Sequence, residues 1–243
     1  MRWFGRPSGA RAGRPHSCSL RPTLEQLETR HMLSAATTAV AAGVVHSPEN
    51  FRNFVISEYQ TLLRRQPDTG GLNFWVSQLT FGRAPEFVEA AFVASGEYFF
   101  KSGNTPSSWI LALYRDLLHR VPATFEVNFW LAQIGAGAGS LPIATAFATS
   151  GERQGIIITE VYATYLARQP EPEAVVFWLG QFQLGMDRAA FVSFVAGSTE
   201  FFFRNGGTNT GFIVGLYSDV LRRNPTPAEI NFWLNIMNQF PCC

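Results

Sequence analysis

The stretch that decides the fold runs from Tyr59 to Trp75 and reads Tyr-Gln-Thr-Leu-Leu-Arg-Arg-Gln-Pro-Asp-Thr-Gly-Gly-Leu-Asn-Phe-Trp. Its skeleton is a tyrosine, an arginine six residues later, a proline two residues after that, and a Phe-Trp pair whose tryptophan stands ten residues beyond the arginine. The same skeleton occurs four times along the chain without a gap inside it. A repeat with a period of some tens of residues is typical of tandem structural units, so it indicates the architecture before any local pattern does.

Besides the phenylalanine of the Phe-Trp pair, four residue types keep their register in all four units, and a further one keeps it in three. They are Tyr59, Tyr114, Tyr162 and Tyr217; Arg65, Arg120, Arg168 and Arg223; Pro67, Pro122, Pro170 and Pro225; Trp75, Trp130, Trp178 and Trp233; and Glu97, Glu152 and Glu200, each in a Ser-x-Glu phrase. Successive units are 55, 48 and 55 residues apart. The chain ends soon after Phe240, before a fourth Ser-x-Glu phrase, so we expect a truncated fourth unit.

Apolar residues recur at helical spacing in each unit, which predicts an all-α fold. Val55, Tyr59, Leu62 and Leu63 follow this spacing ahead of the proline, which should stop the first helix. The second helix carries its apolar stripe on Leu72, Trp75, Val76 and Leu79. We expect Asp68 to cap this helix in unit one and Thr226–Glu229 to form a capping box in unit four. A third helix leads to the Ser-x-Glu phrase. The expected architecture is therefore a set of tandem three-helix repeats packed into one or two helical domains.

The organisation predicted for the chain is a disordered leader over residues 1–46, units one and two over 47–153, and unit three with the truncated unit four over 154–243. The leader runs from a basic stretch through an apolar one to small residues, which is the order of an export signal. Its apolar part is too short for a membrane span. The phrase Leu-Glu-Thr-Arg-His-Met-Leu-Ser-Ala, starting at Leu27, resembles the LEPR-XLL motif of exported bacterial proteins, with Thr29 where that family has proline. This resemblance implies a secreted or cell-surface protein.

Charge and rare side chains exclude several classes of function. The leader holds six of the nineteen basic residues, and the remainder has a net charge of −3, which is unfavourable for binding nucleic acid. After residue 46 the only histidine is His119, and the only cysteines are the last two residues. A Cys/His metal site or a Cys-His nucleophile pair is therefore not expected there, and we expect no cofactor. We interpret His119 as a polar residue at a helix C-terminus.

The repeated residues are interpreted as structural. Two opposite charges in register favour a partly buried pair, so we expect Arg65 with Glu97, Arg120 with Glu152, and Arg168 with Glu200. The tryptophans stand on apolar stripes and should pack in the core, although exposed aromatic faces could also stack on sugars. The serines of the Ser-x-Glu phrases have no neighbouring base and are expected to cap the last helical turn. The glycine-rich Gly135–Gly139 follows a helix and lacks the Lys-Ser/Thr of a phosphate loop, and Asp68–Gly71 is too short for a calcium loop.

The segment Tyr59–Trp75 and its three copies are similar to the domain family DUF4214, which has a distant likeness to the phycobilisome linker domain. The resemblance extends over about residues 51–240 and is strongest in unit one. Later units replace Asp68 and Gly71 of the turn by Ala123 and Glu126, Glu171 and Ala174, and Thr226 and Glu229. The resemblance implies an all-helical fold, frequent occurrence on secreted or surface proteins, and no established reaction.

We therefore expect a non-catalytic interaction or scaffolding module, secreted or at the cell surface, whose partner is a protein or a surface glycan. An alternative is a glycan-acting hydrolase with paired carboxylates such as Glu97 and Asp116, which would need to lie about 5–9.5 Å apart in a cleft. A phycobilisome-like linker is a third possibility, against which the export-like leader counts. The sequence fixes no oligomeric state.

Overall fold

A computed structural model describes the backbone of residues 24–239 and the side chains of residues 35–239. This part of the chain is all-α and contains no strand, as predicted. Two π-helical turns, Tyr162–Leu166 and Tyr217–Leu221, follow α9 and α13. The helices are α1 (Leu24–Val45), α2 (Pro48–Thr61), α3 (Thr69–Thr80), α4 (Pro85–Val93), α5 (Gly96–Lys101), α6 (Pro106–Leu117), α7 (Thr124–Gly135), α8 (Ser140–Ala148), α9 (Gly151–Val161), α10 (Pro172–Gln183), α11 (Arg188–Ala196), α12 (Thr199–Arg204), α13 (Asn209–Leu216) and α14 (Pro227–Met237).

Side-chain caps start the helices where the sequence predicts them. Asp68 accepts a hydrogen bond from the Gly71 amide at the start of α3, and Thr226 forms a reciprocal capping box with Glu229 at the start of α14. Each orphan amide satisfied in this way stabilises a helix by about 1 kcal/mol. The hydroxyl of Ser95 caps two helices. It accepts from the Tyr98 amide at the start of α5 and donates to the Phe92 carbonyl in the last turn of α4, so the predicted capping of the preceding turn is confirmed and a second cap is added.

A left-handed residue reverses the chain before each signature arginine. Arg64, His119, Ala167 and Arg222 all have φ between 48° and 58°. In units one, two and four the amide of the next residue donates back to the carbonyl of the signature tyrosine, which closes a C-terminal helix cap. The first helix of each unit therefore ends two to four residues before the arginine, and His119 lies in this turn, at a helix C-terminus as expected.

The N-terminal segment corrects the prediction of a disordered leader. Residues 24–45 form α1, and Val40, Ala41, Val44 and Val45 are 0–1% exposed. Its small residues allow a close approach to α11, where a Cβ on Gly197 would lie 2.6 Å from the Thr38 Cα. The small, mildly apolar composition that resembled an export signal is thus the composition of a tightly packed core helix. Residues 1–23 lie outside the described part, as do the side chains of most of the LEPR-XLL-like phrase.

The core consists of two apolar clusters. One takes its buried residues from 51–148, and the other from α1 together with residues 157–237. Helix pairs α4–α8 and α1–α11 occupy equivalent positions in the two clusters. Ser140 of α8 donates to the Ala94 carbonyl at 3.2 Å, and the corresponding Thr37 of α1 donates to the Gly197 carbonyl at 2.5 Å. Since Ala94 and Gly197 are 103 residues apart, as are Tyr59 and Tyr162, the two halves of the fold are approximate copies. The domain boundary after residue 153 stays a prediction.

None of the helices in the described residues is both long and apolar enough to span a membrane.

Candidate functional site

The three predicted arginine–glutamate pairs are all present. Each arginine uses its Nε and Nη2 atoms to bind both carboxylate oxygens of a glutamate 32 residues later. The Nε–Oε1 distances are 2.7 Å for Arg65–Glu97 and 2.5 Å for both Arg120–Glu152 and Arg168–Glu200. All six side chains are between 34% and 44% exposed. The pairs tie the turn of one unit to the helix that begins the next.

A fourth pair, not predicted from the sequence, completes the series. Arg223 binds Glu49 with the same bidentate geometry, at 2.6 and 2.9 Å, across 174 residues. Glu49 belongs to a Ser-x-Glu phrase, Ser47-Pro48-Glu49, whose serine caps α2. Together with α1, this phrase supplies what the fourth unit lacks at its own C-terminal end. Within the described residues the fourth unit has no Ser-x-Glu phrase or helix after α14, and the segment that precedes unit one takes their place.

The sequence contained a signal for this pair. Ser47 stands twelve residues before Tyr59, as Ser150 stands before Tyr162. A search for the Ser-x-Glu phrase upstream of the first unit would have found it.

The tyrosine and tryptophan of each unit build a platform under the arginine. The guanidinium lies 4.7–5.0 Å from the centre of the tyrosine ring in all four units, a cation–π contact. The tyrosine hydroxyl accepts a hydrogen bond from the tryptophan Nε1 at 3.2 Å in unit two and 2.9 Å in units three and four. The indoles are partly buried against the two core clusters. In unit four Trp233 packs against Gly43 of α1.

A second carboxylate reaches the arginine in every unit, but from alternating positions. In units one and three it comes from the first residue of the turn, through Asp68 at 3.7 Å and Glu171 at 2.7 Å. In units two and four it comes from three residues later, through Glu126 at 2.7 Å and Glu229 at 2.6 Å. The changes in the turn residues of the later units therefore keep one acid beside each arginine.

These contacts hold the acids ionised. Hydrogen bonds from Arg65, Arg120 and Arg223 lower the pKa of Glu97, Glu126 and Glu229, respectively, to about 2. A general acid needs the opposite shift, toward the working pH. The signature clusters are therefore built as fixed ion pairs.

The carboxylates considered for the hydrolase alternative are engaged in separate contacts. Glu97 binds Arg65 and also contacts the Lys101 ammonium at 3.0 Å. Asp116 accepts from the Tyr98 hydroxyl at 2.8 Å and pairs with Arg115 at 2.7 Å. Burial opposes ionisation of Asp116, but the hydrogen bonds from Arg115 and Tyr98 outweigh burial and lower its pKa.

A group of buried ionisable residues was not predicted from the sequence. Glu89 of α4 and Arg153 of α9 are 3% and 6% exposed and form a bidentate pair whose shortest distance is 2.5 Å. Glu58 lies nearby, and its Oε2 has no hydrogen-bond partner. Burial, reinforced by the charge of Glu89, raises the pKa of Glu58 to about 8. These residues occur once each, so no repeat register could reveal them.

The phenylalanine of each Phe-Trp pair faces outward. Phe74, Phe129, Phe177 and Phe232 are 53–57% exposed. Each ring meets the neighbouring indole edge-to-face at 4.9–5.0 Å with interplanar angles of 72–77°. Further exposed apolar side chains lie on or just after the same helices; they are Phe81, Phe125, Val176 and Leu184. We call the four signature phenylalanines and these neighbours the phenylalanine face. The sequence placed the tryptophans on the apolar stripe but gave no separate role to these rings.

Within the described residues, no group of three or more His, Cys, Asp or Glu side chains is arranged to hold a metal ion. Cys18, Cys242 and Cys243 lie outside the described part.

Comparison with protein families finds two matching stretches of the chain. Residues 47–99 and 89–157 each match the family described as "Domain of unknown function (DUF4214)". No curated protein and no solved structure matches the chain. The first match begins at Ser47 and ends just after Glu97, so it spans one complete unit from one Ser-x-Glu phrase to the next. Residues 47–157 therefore carry two tandem matches to the DUF4214 family.

Proposed function

We propose that this protein is a secreted or cell-surface scaffolding module, without catalytic activity, in which four DUF4214-like units present the phenylalanine face to a partner protein. The observation that carries the proposal is the uniform exposure of Phe74, Phe129, Phe177 and Phe232 in all four units. Large exposed apolar side chains that recur at one position of every unit are candidates for contact with a partner. Units three and four contain the same bidentate Arg–Glu pair and Trp–Tyr hydrogen bond as the units that match DUF4214. This shared geometry supports extending the similarity to DUF4214 to units three and four.

Two further features support a binding role. The repeated ionisable residues are committed to ion pairs within each cluster, so they stabilise the body and leave little for chemistry. The phenylalanines, in contrast, keep about half of each ring in solvent although burial of a phenylalanine stabilises a fold by roughly 1.5–3 kcal/mol. Partner binding would recover that free energy. The proposal of export rests on the LEPR-XLL-like phrase of residues 27–35.

The test is binding of the purified full-length protein to the surface of the cells that produce it. Replacing the four signature phenylalanines by glutamine keeps helix propensity while removing the exposed rings. We expect at least tenfold weaker cell binding. The matched control replaces Phe100 and Phe203, which are 72% and 64% exposed on α5 and α12 and lie outside the phenylalanine face, and it should bind as the wild type does.

Unchanged binding of the four-fold variant, with a circular dichroism spectrum like that of the wild type, would refute the role of this face. Protease treatment of the cells should abolish binding, whereas binding that survives protease and is lost on glycosidase treatment would contradict a protein partner. Fractionation of the tagged protein tests its location, and recovery from the cytoplasm alone would contradict export.

A further inference from the structure

A polar cleft of about 770 Å³ opens where the two halves of the fold meet. It lies between α2 on one side and α9, α11 and the two π-helical turns on the other. Its volume is in the range of small-ligand sites. The phenylalanine face lies elsewhere, since none of its residues lines the cleft.

The two walls of the cleft differ in chemistry. The α2 wall presents neutral polar groups, among them Asn53, Ser57 and Gln60, together with the ring of Phe54. The opposite wall presents Glu160, Arg188, Asp219 and Arg222. Positions 57 and 160 are equivalent in the two halves, as are 85 and 188, yet the first of each pair is uncharged. The charges of Glu160 and Arg188 therefore have no counterpart at the equivalent positions of the other half.

Two arginines on the charged wall have no carboxylate partner among the described side chains. Asp219 is paired with Arg204 at 3.4 Å, whereas within the described residues neither the Arg188 nor the Arg222 guanidinium lies within ion-pair distance of a carboxylate. The Arg188 backbone amide, not its side chain, donates to Glu86. The Arg188 guanidinium stands 5.8 Å from the centre of the Phe54 ring. The two acidic and two basic side chains that line the cleft balance in charge, but the two guanidinium groups have no carboxylate partner in the part of the chain that the structure describes and are therefore available to an anionic ligand group.

The turn does not require the side chain of Arg222. The equivalent left-handed positions are occupied by Arg64, His119 and Ala167, and an alanine forms the same turn. A planar guanidinium binds a carboxylate with two parallel hydrogen bonds, which makes it selective for that group. Amide and hydroxyl groups on the facing wall suit the hydroxyls of a sugar, and an aromatic ring suits its apolar face.

We infer that this cleft binds an acidic saccharide, with Arg188 and Arg222 receiving the carboxylate, the α2 wall receiving the hydroxyl groups, and Phe54 contacting the sugar ring. The inference names a second binding surface beside the one proposed above. A scaffold with both surfaces would hold a protein and an acidic glycan together.

The experiment is calorimetric titration of the full-length protein with a galacturonate trisaccharide and with the neutral galactose trisaccharide. We expect the acidic ligand to bind at least tenfold more tightly and its affinity to fall with added salt. Arg222→Gln should weaken binding at least tenfold. Arg64→Gln is the matched control, because Arg64 has the same left-handed conformation in unit one and does not line the cleft.

Failure of the wild type to bind at millimolar concentration, equal affinity for the neutral sugar, or unchanged affinity of Arg222→Gln would each overturn the inference. Cell binding measured with the same Arg222 variant separates the two proposals. The protein-binding proposal predicts that replacing the four phenylalanines in the Arg222→Gln variant lowers its binding to cells. This prediction does not depend on the outcome of the saccharide titration.

Discussion

At the scale of single residues, each signature arginine joins three neighbours. Arg120 lies over the Tyr114 ring, binds Glu152 in the next unit and binds Glu126 in its own turn. Each contact alone is weak, because half-exposed ion pairs contribute about 0–1 kcal/mol. The bidentate pairs matter mainly for geometry, because two parallel hydrogen bonds fix the angle between the turn and the helix that carries the glutamate. The repeated arginine therefore marks the contact between successive units.

Glu58 gives a residue-scale prediction for pH dependence. Burial and the charge of Glu89 raise its pKa from 4.5 to about 8, so the folded protein loses stability as the pH rises from about 4.5 through 8. The other charges that act on it are Arg188 and Arg153. We expect Glu58→Gln to match the wild type at pH 5 and to exceed it by more than about 1 kcal/mol at pH 9.

The measurement for Glu58 is urea unfolding across this pH range. Glu173→Gln, at an exposed position on α10, controls for loss of one surface charge and should follow the wild type. If Glu58→Gln loses as much unfolding free energy between pH 5 and pH 9 as the wild type does, Glu58 is not the group responsible for that loss.

At the scale of elements, the close contact of α1 with the end of α11 depends on a missing side chain. A Cβ on Gly197 would meet the Thr38 backbone at 2.6 Å and the Ser193 carbonyl at 2.9 Å. Neither backbone group can move without displacing a helix. We expect Gly197→Ala to destabilise the protein by about 1–3 kcal/mol, measured by chemical unfolding.

Gly155 provides the matched control for this contact. It lies within α9, and a Cβ there would have no atom within 4 Å. Gly155→Ala should therefore stabilise the protein by about 0.5–1 kcal/mol through helix propensity alone. If both substitutions have the same sign, the α1–α11 packing described above is wrong.

At the scale of the whole molecule, the N-terminal helix α1 and Glu49 supply contacts that the fourth unit lacks at its C-terminal end. Helix α1 packs in the second cluster, and Glu49 binds Arg223. A chain beginning at Ala35 should keep the melting temperature of the full-length protein. A chain beginning at Ser47 lacks the buried face of α1, and we expect its melting temperature to fall by about 10 °C or more.

The single substitution Val40→Asp places a charge at a position that is 0% exposed and should reproduce this loss in the full-length chain. Equal melting temperatures for the two shortened chains would show that α1 is dispensable. Processing of an exported chain would, on the same grounds, have to cut before Ala36 for unit four to stay closed.

Much of the unit could be predicted from the sequence because its signals are local or exactly periodic. Helical spacing, the proline stop, the caps at Asp68 and Thr226 and the Arg65–Glu97 pair all depend on residues whose separation recurs along the chain. The phenylalanine face was missed for a different reason. Phe74 and Trp75 are neighbours on one helix, and only packing against other helices decides which ring is turned outward.

The sequence by itself determined that this protein is all-α, that it is built from repeated units, and that an arginine and a glutamate join successive units. Only the tertiary structure decided that residues 36–49 complete the fourth unit, that Glu58 is buried beside the Glu89–Arg153 pair, and that a cleft with unpaired arginines lies between the halves. The physical reason is separation. Helix patterns reflect neighbours within a few residues, whereas the contact between Glu49 and Arg223 spans 174 residues and exists only once both ends have packed on a common core.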